Sequence, residues 1–158
     1  DLNPAKSVSR TFTTFRVLSA KGEVLRLIRN LVEEACMKLR EMKMVGRTFC
    51  LSIDGFWVRR TVKISTDDPL IIFNLLKNEY EKDPVVNVRQ AGVWITNLIF
   101  NFQFSIFKRR RDLLRAADSV NSKYGLFTLY PASLLDGALI RPEVTGYLGD
   151  KYYRFRTT

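Results

Sequence analysis

The chain has 158 residues, 46% of them hydrophobic, enough to bury one core and leave room for a tail. Its formal net charge is +10, from 26 Lys and Arg against 16 Asp and Glu, and this favours a polyanionic partner such as nucleic acid or an acidic surface. The sequence contains no histidine, which excludes His-ligated metals, Ser-His triads and histidine general bases; Cys36 and Cys50 lack CxxC spacing, so neither a zinc site nor a disulfide framework is expected.

Ser7 to Phe15 is rich in β-branched and aromatic residues and reads as a first strand. From Lys21 to Met44, Val24, Leu27, Ile28, Leu31, Ala35, Leu39 and Met42 recur every three or four residues, the pattern of an amphipathic helix. Its polar face is expected to carry Arg26, Arg29, Glu33, Arg40 and Lys43, with Glu33-Glu34 turned to solvent. Gly46 offers a helix stop, after which Phe49, Leu51 and Ile53 alternate with Thr48, Cys50 and Ser52 along a second strand. Asp54-Gly55 is a hairpin signal. A third strand, Phe56 to Ser65, places Val58, Val62 and Ile64 on one face and Trp57, Arg59, Thr61 and Lys63 on the other.

Asp67-Asp68-Pro69 supplies a carboxylate cap and a first-turn proline for a second helix with Leu70, Phe73, Leu76 and Tyr80 as its apolar stripe. Capping explains this carboxylate pair better than metal binding does. Val85 to Leu98 resumes strand character, with Gly92 expected at a bulge. Lys108 to Tyr124 is a third helical pattern, stopped by Gly125, and Leu126 to Thr158 is mixed. The order strand, helix, strand, strand, helix, strand predicts an α+β fold: a four-stranded antiparallel sheet with two helices packed on one face and the other face open, followed by a C-terminal helical and irregular extension. The expected divisions are residues 1–100, 101–107 and 108–158.

The longest apolar stretch, Val93 to Phe107, is broken by Thr96, Asn97, Asn101 and Gln103, so no membrane segment is expected, and no segment has the order of a secretion signal. The cysteine usage points to a reducing cytoplasm. Basicity is spread evenly, since residues 1–100 and residues 101–158 each carry +5.

Several phrases resemble, in order, the little-finger domain of Y-family DNA polymerases and the segment that follows it. They are Lys6-Ser7-Val8-Ser9-Arg10, Gly46-Arg47-Thr48 and Val88-Arg89-Gln90-Ala91-Gly92-Val93-Trp94-Ile95-Thr96-Asn97-Leu98, then Gln103-Phe104-Ser105-Ile106-Phe107 and Asp118-Ser119-Val120-Asn121-Ser122-Lys123-Tyr124-Gly125. Two positions depart from the family pattern: Gln90 stands where a second adjacent basic residue is frequent, and Trp94 where a cation is common. The resemblance implies a noncatalytic module of a lesion-bypass polymerase, lacking fingers, palm and thumb. It needs no cofactor of its own, whereas the parent enzyme would use magnesium. The implied partners are duplex primer-template DNA and a bacterial sliding clamp, in the cytoplasm at the nucleoid.

The candidate DNA-binding residues are Lys6, Ser7, Ser9 and Arg10 near the first strand, Arg59, Thr61 and Lys63 on the third, and Arg89 on the fourth. Cations and short hydroxyl donors in this arrangement suit phosphate contacts that position a duplex without reading its sequence. Arg59 and Lys63 equally suit the solvated face of an amphipathic strand; the resemblance tips the reading towards contact. Gln103, Phe104, Ile106 and Phe107 are the implied clamp-binding residues, apolar side chains filling a pocket while the amide sets register. By pattern alone, Phe102, Phe104 and Ile106 also fit a simple strand continuation. A stand-alone basic ferredoxin-like RNA-binding domain is the alternative, since the same sheet and helices describe RNA-recognition modules, although no Lys-or-Arg-Gly-Phe-Gly-Phe-like phrase is present.

Overall fold

Alternation of apolar and polar residues sets two central strands, and everything else is arranged around them. In the computed structural model, which describes residues 5–101 and 108–135, the elements are β1 (Ser7–Leu18), α1 (Lys21–Glu41), β2 (Met44–Ile53), β3 (Phe56–Thr66), α2 (Pro69–Tyr80), β4 (Val88–Thr96), β5 (Ile99–Phe100) and α3 (Lys108–Tyr124). The sheet order is β1-β4-β2-β3, antiparallel throughout, with β5 paired to the start of β2. This is the expected α+β sheet with the addition of β5, a two-residue strand too short to leave a periodic signal.

Phe49, Leu51 and Ile53 of β2 and Ala91, Val93 and Ile95 of β4 point to one side and are fully or almost fully buried. Against them lie Val24, Ile28, Leu31, Val32, Ala35 and Leu39 of α1 and Ile72, Leu76 and Tyr80 of α2, likewise withdrawn from water. Each large apolar side chain buried in this way contributes roughly 1.5–3 kcal/mol, so this interface is the main stabilising element of the first unit. The chain divides into two compact units, Asp1–Phe104 and Ser105–Thr158.

The turns follow from local chemistry. Asp54 (φ 39°) and Gly55 (φ 95°) both occupy the left-handed region, as a two-residue hairpin demands, and join Ile53 to its partner Phe56. Asp68 accepts the Leu70 N–H at 2.9 Å and Pro69 occupies the first turn of α2, as the Asp-Pro signal predicts.

Three expectations are corrected. α1 stops at Glu41, Lys43 turns with φ 56°, and β2 begins at Met44, so Gly46 lies inside a strand and is not the helix stop. Its lack of a side chain serves a close approach: a Cβ there would collide with Ile95 Cγ2 and meet Leu98 Cδ2 at 3.0 Å. Gly92 is not at a bulge either, because it pairs in unbroken register with Thr11 on one side and Ser52 on the other.

The third correction concerns the polar side of α1. Arg29, Glu33 and Glu34 are buried, because α2 and β1 cover the surface that periodicity assigned to solvent. Arg29 pairs with Glu33 at 2.7 Å and lies 5.2 Å from the Phe73 ring centre. Glu34 accepts a hydrogen bond from the Asn30 amide at 2.8 Å and has Arg10 of β1 at 3.8 Å.

In the second unit α3 ends at Gly125 (φ 115°), whose N–H reaches the Asn121 carbonyl at 3.0 Å. The Asn121 side chain then clips the following loop by donating to the Leu129 carbonyl at 3.0 Å and accepting from its N–H at 2.7 Å.

Candidate nucleic-acid interface

Because successive side chains of a strand point to opposite faces, the register of the sheet decides what its uncovered face carries. Three transverse rows cross it. One runs Thr61, Thr48, Thr96, Ser7; the next Arg59, Cys50, Trp94, Ser9; the third Trp57, Ser52, Gly92, Thr11. Gln90 and Thr13 begin a fourth. Ser7, Ser9, Thr11 and Thr13 on β1 and Trp57, Arg59 and Thr61 on β3 are exposed, so the face is open to solvent at both edges.

Its chemistry is dominated by hydroxyls. Thr48 and Thr61 share a hydrogen bond of 2.9 Å, and the Asn97 amide donates to the Thr48 hydroxyl at 2.7 Å, which holds this end of the face together. Burial pushes the Cys50 thiol above its ordinary range while Arg59 beside it pulls the other way, leaving no activated thiolate on the face. Arg59 is the one formal charge within the three rows.

The other sequence-derived residues are dispersed. Lys6 is exposed just ahead of β1, and Lys63 is exposed in the stretch where the β2–β3 register shifts. Arg89 is exposed at the start of β4, where its backbone N–H and that of Gln90 are held by the Asp54 carboxylate at 2.6 and 3.0 Å. Arg10 stands apart: it shares the side of Val8, faces the Glu34 carboxylate of α1, and does not join Ser7 and Ser9 on the open face. Adjacent strand residues cannot share a face, so grouping Ser9 with Arg10 contradicted the two-residue period. Gln103, Phe104, Ile106 and Phe107 lie outside the described residues.

Arg60 and Lys82, away from the open face, are engaged with one acid. Arg60 pairs with Glu79 at 2.6 Å and Lys82 with the same residue at 2.8 Å; these hydrogen bonds, Arg60 first, hold the Glu79 carboxyl well below the usual carboxylate range. Burial acts in the opposite sense on Glu34, raising its carboxyl to about 8 despite Arg10 and the Asn30 amide.

Residues that sequence reading left out are Thr11, Thr13, Thr48, Ser52 and the two tryptophans. Trp57 is 60% exposed, and Trp94 is half-buried with its six-membered ring folded over Gly92, where an added Cβ would meet Cη2 at 2.5 Å and Cζ3 at 2.7 Å. The alternation of β4 contained the signal, since Gly92 and Trp94 fall on one face two residues apart.

Among the described residues no group of three or more Cys, Asp or Glu is placed to hold a metal ion, and no helix is long and apolar enough to cross a membrane.

Residues 5–116 match the impB/mucB/samB family C-terminal domain, and the chain belongs to that family: it is a little-finger domain, from the C-terminal, noncatalytic part of Y-family polymerases. Among curated proteins it is similar to DNA polymerase IV of Desulfatibacillum aliphaticivorans, 29% identical over 147 residues that cover 83% of this chain and 37% of that protein. The chain thus spans little more than a third of the relative's length. Among solved structures it is similar to a Y-family DNA polymerase chimera, at 20% identity and a TM-score of 0.49 over 63% of this chain and 30% of the other.

Proposed function

We propose that this chain is the duplex-gripping module of a Y-family lesion-bypass DNA polymerase, and that its open sheet face lies along the sugar-phosphate backbone of the primer-template. The observation that carries the reading is that face: rows of serine and threonine hydroxyls with Arg59 among them, and the exposed Lys6 and Lys63 near its ends. Hydroxyls donate to phosphate oxygens of any sequence, and cations release counterions from any sequence, so such a face positions DNA and tolerates a damaged base. Family membership favours this reading over the RNA-binding alternative.

The polymerase reaction itself, with its magnesium ions held by carboxylates, belongs on this proposal to the part of the parent enzyme outside this chain. Gln103, Phe104, Ile106 and Phe107 then act as a tether to a sliding clamp, in a bacterial cytoplasm. Support for the tether is the residue pattern together with its place after the last strand of the domain.

Affinity of the 158-residue chain for a primer-template duplex, measured by fluorescence anisotropy across a salt series, tests the grip. The Arg59→Ala, Lys63→Ala double variant is expected to shallow the log-log salt dependence by about one unit for each cation that neutralises a phosphate. An unchanged slope overturns the assignment of this face. Clamp capture lost on Gln103→Ala, Phe107→Ala supports the tether, and persisting capture removes it.

A further inference from the structure

A face built only to hold duplex phosphates by charge would present more than one cation in three rows, and two tryptophans bring no charge to it. Their placement is specific. Trp94 lies down along β4 with its six-membered ring over Gly92, in the third row. Trp57 stands in that same row on the edge strand β3, separated from Gly92 by Ser52 alone. Two strand spacings put the indoles roughly 10 Å apart. Arg59, in the adjoining row, lies on β3 two residues from Trp57 and across Cys50 from Trp94.

Packing in the core does not account for these residues, since the core lies on the other side of the sheet and Trp57 keeps 60% of its surface in water. Gly92 is informative for the same reason. A larger residue there would lift the Trp94 ring away from the sheet, whereas glycine lets it settle as a low platform. Aromatic platforms on an open sheet with a cation nearby are a general way to take unpaired nucleobases, because every base offers a π-face and the cation holds the connecting phosphate.

We propose that Trp57 and Trp94 form a stacking site for unpaired bases of single-stranded DNA, with Arg59 taking the phosphate between them. This adds base-dependent, sequence-tolerant binding of a template overhang to the backbone grip of the same face, and it rests on the reading of that face as a DNA-binding surface. The tryptophan at position 94, where the family commonly has a cation, exchanges ionic attraction for stacking.

The test compares four probes at one salt concentration with the whole 158-residue chain: a short oligothymidylate, an abasic strand of equal length and charge, an RNA strand of equal length, and a blunt duplex. The oligothymidylate is expected to bind more tightly than the abasic strand and to quench tryptophan emission. Trp57→Ala and Trp94→Ala are each expected to weaken oligothymidylate binding by about 5- to 150-fold while leaving the abasic strand unaffected. Trp57 is on an exposed edge, so its variant does not endanger the fold, and the abasic comparison requires no variant at all.

Equal affinity for oligothymidylate and abasic strand overturns the stacking site, and if the blunt duplex still binds, the duplex-gripping reading survives it. Base-dependent binding without any duplex affinity does the reverse, supporting the platform and removing the duplex grip. Preference for the RNA strand over oligothymidylate overturns the assignment to DNA.

Discussion

Glu34 offers a sharp test of the way this core is built. It sits on α1 with only 5% of its surface exposed, accepts from the Asn30 amide at 2.8 Å, and has Arg10 at 3.8 Å. Burial dominates and lifts its carboxyl from 4.5 to about 8. Between those two values the folded protein keeps Glu34 protonated while the unfolded chain ionises it, so the native state binds the extra proton. Stability must then fall as pH rises from about 4.5 to about 8 and flatten above that. At about 1.4 kcal/mol for each unit of displacement, the loss across this window is of order 5 kcal/mol as an upper bound.

Two other sources of pH dependence stay outside this window. The sequence has no histidine to titrate in it. Glu23, Glu79 and Glu81, whose carboxyls are lowered by hydrogen bonds from Arg16, Arg60 and Lys21 respectively, contribute stability that is lost only as pH falls below 4.5. Urea denaturation at pH 5, 6, 7 and 8 reads the effect directly. Glu34→Gln keeps the Asn30 acceptor without the ionisable group, and is expected to remove most of the decline and to be more stable than the parent at pH 8. A parent protein equally stable at pH 5 and pH 8, or a glutamine variant with the parental slope, would refute the reasoning.

Two further outcomes follow from the packing. Gly46→Ala forces a methyl into the Ile95 and Leu98 side chains and is expected to cost about 1–3 kcal/mol in urea denaturation. Asp54→Ala removes the acceptor of the Arg89 and Gln90 N–H groups at the start of β4 and places alanine at φ 39°. It is expected to cost about 1–3 kcal/mol, less for Asp54→Asn, with faster amide exchange at Arg89 and Gln90 as the local signature.

Most of the fold was legible because its signals are local. The periods of α1 and β4, the Asp54-Gly55 turn and the Asp68-Pro69 start each depend on residues within one element. What was not legible depends on partners distant in sequence. Gly46 looks like a helix stop until Ile95 and Leu98, brought by β4 and the turn after it, are seen to occupy the space its side chain would need. Arg29, Glu33 and Glu34 look like a solvated helix face until α2 and β1 cover them. The open face was read in part: Ser7, Ser9, Arg59 and Thr61 do share it, while Arg10 was grouped with Ser9 against the two-residue period and faces Glu34.

The distribution of charge bears on how such a module would work. Arg16, Lys21, Arg29, Lys38, Arg60 and Lys82 each pair with a carboxylate, so the net +10 is carried by other cations of the chain. Few of them stand on the open face itself, where Arg59 is the one formal charge within the three rows. Backbone binding by so few cations is weak and salt-sensitive. A weak grip suits a domain that, on the proposed reading, is already held near its substrate by a catalytic core and a clamp tether, because linkage supplies the effective concentration that intrinsic affinity lacks. On that reading a stronger ionic grip would slow release from each successive template position, whereas hydroxyls and indoles would hold DNA of any sequence and still let it pass.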